Sequence, residues 1–98
     1  MAQHRGRTEA AMISKDDILG LCGLEADEVD AIAEHEHMPD VAAAALGSYL
    51  LHAPHGADRI RNMIVEDLRA ALDRGDRDHA ASLFMALRHF LSEHPEAG

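Results

Sequence analysis

Ninety-eight residues with 18 Asp+Glu against nine Lys+Arg, eight His and a single Cys carry a formal charge of −9 when histidine is neutral. Of the apolar residues, 18 are alanine and only 21 are Leu, Ile, Val or Phe, which suits one small domain held by close helix contacts and helped by self-association. The lone Cys22 excludes a disulfide framework and a cysteine-rich zinc or iron–sulfur site, and the excess of acid makes duplex DNA, bound largely through Lys and Arg, a poor partner.

Residues 1–12 show no apolar period and read as a mobile tail ahead of a single all-α domain over residues 13–95. Ser14 as cap, Asp17 three residues on, and Ile13 with Ile18 at the staple positions predict a first helix. Its apolar side is Ile18, Leu19 and Leu21, and Gly23 ends it. A second helix is predicted over residues 25–37. Leu24 and Val29 repeat the staple spacing, Val29, Ile32 and Ala33 make the buried stripe, and acids crowd the first turn, where the helix dipole favours them. Met38 precedes a proline and so marks a boundary, after which Pro39 suits the first position of a third helix reaching residue 53.

That third helix is apolar nearly all round, through Val41, Ala42, Ala45, Leu46, Tyr49 and Leu50, and is expected to be the central, most buried one. The uncharged stretch around it, residues 41–57, contains Gly47, Ser48, His52, Pro54, His55 and Gly56 and is too short and polar to span a bilayer. With no signal-peptide pattern either, a cytoplasmic protein is expected. A fourth helix over residues 57–74 carries Ile60, Met63, Ile64, Leu68, Ala71 and Leu72. Gly75 stops it, and Asp76 or Asp78 caps a fifth with Ala80, Leu83, Phe84, Leu87 and Leu91 on one face, closed by His94-Pro95. The short connection at Gly75 predicts an antiparallel hairpin, completing a bundle of about five helices.

Ile18, Cys22, Leu24, Val29 and Ile32, with Gly23 at a turn, match the buried positions of one small motif: residues 16–34, a fifth of the chain, resemble a helix-turn-helix. The resemblance implies a DNA-reading second helix. Leu19, however, stands where a small residue usually lets the two helices approach. The would-be recognition helix offers Glu25, Asp27, Glu28, Asp30 and Glu34, and no Arg, Lys, Gln or Asn to read base edges. Eight of the nine excess negative charges fall in residues 14–40, so this segment suits a cationic partner.

Glu34-His35-Glu36-His37 is the most chemically specific local sequence. Glu34 and His37 have the i, i+3 spacing of the Glu-x-x-His element of di-iron helical proteins, with His35 and Glu36 as assisting ligands for a divalent metal such as iron or zinc. The chain has no second copy of the element, so a dimer would have to supply one; a solvated helix end accounts for the same residues. His52 and His55 are separated by Pro54 without further partners, while His79, His89 and His94 belong to the fifth helix. Ser48 lacks the strand–turn–helix context of a nucleophile elbow, and no glycine-rich phosphate loop is present.

Three readings follow. The first is a non-catalytic regulatory or interaction module, homodimeric through exposed Val65 and Met85, which uses Glu25, Asp27, Glu28 and Asp30 against a basic or helical protein. The second is a metal protein with a Glu-x-x-His site shared across that dimer, and the third a transcription regulator with a degenerate helix-turn-helix. No enzyme, no membrane association and no nucleic-acid partner are expected from the first.

Overall fold

The computed structural model describes residues 23–98. Four α-helices follow one another there: α1 (Ala26–Glu36), α2 (Asp40–Leu51), α3 (Gly56–Asp73) and α4 (Arg77–Glu93), with a single 3-10 turn over Pro95–Ala97. No strand occurs among the described residues, so the chain is all-α there. The predicted tail, first helix and Cys22 lie outside them.

The local signals around α1 act as their chemistry requires. Glu25 precedes the helix in an extended conformation, and its N–H donates to Glu28 Oε1 at 2.8 Å, the returning half of a capping box. Leu24 and Val29, the staple pair, are both buried. At the other end His37 takes a left-handed conformation (φ 57°), with the Met38 N–H donating to the Ala33 carbonyl and the His37 N–H to that of Glu34. Helix α1 therefore stops one residue short of the predicted limit.

Helix α2 departs furthest from expectation. Pro39 stands just outside it as the capping residue, and it ends at Leu51 rather than at residue 53. It is also not the central helix among the described residues: there α1 and α3 each touch all three other helices, whereas α2 meets only those two. Val41 and Tyr49 are 63 % and 67 % exposed, and Ala42 and Ala45 face solvent, while Ala43, Ala44, Gly47 and Leu50 are buried. A helix apolar on every side carries no periodic signal of which side is covered. Its smallest residues decide the matter by permitting close approach: a Cβ on Gly47 would stand 2.3 Å from Leu24 Cδ1 and 3.2 Å from Ile32 Cδ1.

The two long helices α3 and α4, linked by residues 74–76, share the most extensive interhelical contact. Gly75 sits in the linker with φ +77°, a left-handed turn that glycine adopts without penalty. Asp76 then caps α4 through its side chain, which accepts from the His79 N–H at 3.2 Å. Replacing Asp76 with Ala is expected to lower stability by about 1 kcal/mol in urea titration, whereas Asp78→Ala, further into the helix, should leave the midpoint nearly unchanged.

The core collects Val29 and Ile32 from α1, Leu50 from α2, Ile60 and Ile64 from α3, and Leu83 and Phe90 from α4. On α3 and α4, too, two residues expected inside are not: Leu72 is 58 % and Phe84 49 % exposed, and Phe90, fully buried, is the aromatic of the core. The buried stripe of α4 runs Ala80, Leu83, Ala86, Phe90, rotated from the one the sequence suggests, because apolar residues cover two adjoining sides of this helix. After α4, the 3-10 turn returns Ala97 to the core, and the Arg61 guanidinium donates to the Ala97 carbonyl.

Candidate functional site

Asp27, Asp30 and Glu34 recur at i, i+3 and i+7 along α1, and so share one face. Across from them on α4 stand His79, Ser82, Leu83 and Ala86, and the two rows line a cleft of about 350 Å³. Histidines bridge it at both ends. His79 Nε2 lies 2.7 and 2.8 Å from the two carboxylate oxygens of Glu34, and His89 Nδ1 lies 2.7 Å from Asp27 Oδ2. Carboxylates accept only, so each of these imidazoles donates from the named nitrogen, which fixes its tautomer while it is neutral.

A third bridge joins α1 to α3. His35 places Nε2 2.8 Å from Glu66 Oε1 and Nδ1 2.8 Å from Glu36 Oε2. Both ring nitrogens can donate only in the imidazolium, so the geometry is fully satisfied only by the charged form. Partial burial pulls the His35 pKa down, but the hydrogen bonds to Glu66 and Glu36 and the charges of Asp67 and Glu36 outweigh it; the net direction is up. Asp67, half-buried on α3, has a pKa raised by burial and by the neighbouring Glu34 and Glu66, against the lowering influence of His35 and His79. Its Oδ2 is buried without a hydrogen-bond partner among the described residues.

The residues that looked like metal ligands are drawn apart by these contacts. Glu34 turns to His79, and His35 to Glu66 and Glu36. His37, in its left-handed position after the helix, no longer has the helical register with Glu34 on which the Glu-x-x-His spacing relies. Among the described residues no group of three or more His, Cys, Asp or Glu stands close enough to hold a metal ion.

The expected acidic surface needs one correction. Glu28 is not on it: its side chain is fully buried. Burial, opposed by the hydrogen bond from the Glu25 backbone and reinforced by the charges of Glu93, Asp27 and Glu25, raises its pKa to about 7. Oε1 is held by that backbone N–H while Oε2 has no partner among the described residues. The capping geometry explains the inversion, since a Glu that reaches back to its own helix start is drawn under the following turn. Glu25 and Asp30 are exposed, and Asp27 is half-buried beneath His89.

Sequence reasoning placed His79 and His89 on a helix without a partner. A signal was present all the same: His79, Ser82, Ala86 and His89 repeat at i, i+3, i+7 and i+10, a stripe matching the acidic one on α1. Of the expected dimer contacts, Met85 is 42 % exposed and Val65 half-buried. A second concavity of about 420 Å³ lies on the face of α3 and α4 that includes Leu72 and Phe84; it is bounded by Leu68, Arg77, Ala80 and Ala81 and is almost wholly apolar. No helix among the described residues is long and apolar enough to cross a membrane. No protein-family model, no characterised protein and no solved structure matches the chain.

Proposed function

We propose that the chain is a non-catalytic regulatory or protein-interaction module that works as a homodimer through the outer face of α3 and α4. The observation that carries this reading is the apolar groove holding Leu72 and Phe84. One of only two phenylalanines in a chain with a thin core is half exposed there, in a contiguous apolar surface rather than singly. Met85 and Val65 adjoin the same two helices. An antiparallel hairpin for α3 and α4 belongs to the same reading, supported by the short linker and the long shared contact. A basic or helical partner would engage Glu25 and Asp30, with Asp27 competing for His89.

Sedimentation equilibrium tests the dimer. The wild-type chain should sediment at twice its monomer mass, and Leu72→Glu with Phe84→Glu should give a monomer of unchanged helicity by circular dichroism. A wild-type chain that stays monomeric at micromolar concentration overturns the proposal. The metal reading would require ligands from two chains, and metal analysis after chelator-free purification addresses it: less than about one ion per dimer removes it.

A further inference from the structure

We propose that α1 is fastened to α3 and α4 by a proton-dependent clamp, built from the doubly held His35, the buried Glu28 and the half-buried Asp67, which grips at mildly acidic pH and slackens above neutrality. The inference is independent of dimer formation. Between described residues, the ion pairs joining different helices are His79–Glu34, His89–Asp27 and His35–Glu66, and all three hold α1. The arginine pairs are local, Arg61 with Asp58 one turn away and Arg74 with Asp76 across the linker. Histidine is the side chain whose charge changes between pH 5 and 8, and His35, with a carboxylate on each ring nitrogen, is the bridge whose geometry is satisfied only by the charged form.

The groups facing each bridge act in the same sense. His35 meets Glu36 from its own helix and Glu66 and Asp67 from α3, with Arg59 the one cation lining that surface among the described residues. His79 has Glu34 on α1 and Asp67 on α3 beside it, and its backbone N–H is held by Asp76. His89 has Asp27. Glu28, inside the α1–α4 junction, faces Glu25, Asp27 and Glu93, all of one sign. Deprotonation thus removes one of the two hydrogen bonds His35 donates and places an unpaired charge in the seam at Glu28.

For Glu28, His35 and Asp67 alike the folded state holds the proton more tightly than free water-exposed groups would, each pKa being raised. The stabilisation they give is complete below their ordinary values and is lost as pH rises through the folded ones. For Glu28 that window runs from 4.5 to about 7. For His35 it begins at 6.5 and for Asp67 at 3.8. Release of α1 would uncover Leu83 and Ala86, which line the seam on α4, and so turn a proton loss into newly exposed apolar surface.

Hydrogen exchange of the full chain at about pH 5.5 and about pH 8, corrected for intrinsic exchange rates, reads the clamp directly. The α1 amides, measured against those of α3 in the same sample, should lose at least about tenfold in protection at the higher pH. Glu28→Gln, which keeps the acceptor for the Glu25 N–H and cannot ionise, should retain more α1 protection than wild type at the higher pH. His35→Gln should lose part of the gain on acidification. Equal relative protection of wild-type α1 at the two pH values overturns the proposal. So does an undiminished pH response in Glu28→Gln, a readout that stands even if the His35 variant does not fold.

Discussion

Alanine at Gly56 is expected to abolish the native packing of α2 against α3, with a loss of about 3 kcal/mol or more. Gly56 begins α3 and is itself buried. A Cβ built on it would lie 1.5 Å from the Leu50 carbonyl oxygen, 2.3 Å from the carbonyl carbon and 2.9 Å from Leu50 Cα. The obstruction is backbone, and Leu50 is anchored in the core at 1 % exposure, so no rotamer change relieves it. Against a total stability of about 5–15 kcal/mol for a domain of this kind, that loss leaves a population visibly unfolded in urea titration followed by circular dichroism. Gly75→Ala is the informative contrast. It has no atom within 4 Å of its added Cβ but a φ of +77°, so only the conformational cost of about 1–2 kcal/mol applies. Equal midpoints for Gly56→Ala and wild type would mean that the close crossing of α2 and α3 does not exist.

Truncating Phe90 to alanine should cost about 3–5 kcal/mol, the largest loss expected from any side-chain truncation in the described core. The ring is fully buried and lies 4.6 Å, centroid to centroid, from the ring of His94. The described core is rich in alanine, buried at positions 31, 43, 44, 71, 80 and 86, and alanine has no rotamers to move into a void. The cavity therefore stays open and adds to the lost transfer energy. Phe84→Ala makes the paired measurement. Made on the monomer, with 49 % of the residue already in water, it should shift the urea midpoint by far less than Phe90→Ala. If the two substitutions cost the same, the choice of Phe90 as the aromatic of the core is wrong.

Much of the backbone architecture was legible because its signals are local. Leu24 with Val29, Asp76 before His79 and Gly75 in the linker each act over a few residues of chain, so sequence spacing alone defines them. The candidate site was only partly legible. The acidic stripe of α1 was evident, yet which of its members face water depended on α4: Glu28 is withdrawn beneath the seam, and Asp27 and Glu34 are met by His89 and His79. A pairing between residues 45 and 62 positions apart leaves no mark in local spacing. Glu34 and His37 show the opposite failure, a local spacing that promised a shared face until the left-handed residue at the helix end removed it.

The sequence by itself determined the all-helical character of the described residues, the limits of their four helices to within a residue or two, and the concentration of negative charge in residues 14–40. Periodicity, caps and composition suffice for these because each depends on neighbours in the chain. Only the tertiary structure decided that α2 lies to one side rather than at the centre, that Phe90 and not Phe84 fills the core, and that the histidines of α4 answer the carboxylates of α1. Where a helix is apolar on more than one side, its own residues leave several faces equally suited to burial, and the choice falls to whichever face brings its smallest side chains against a neighbour.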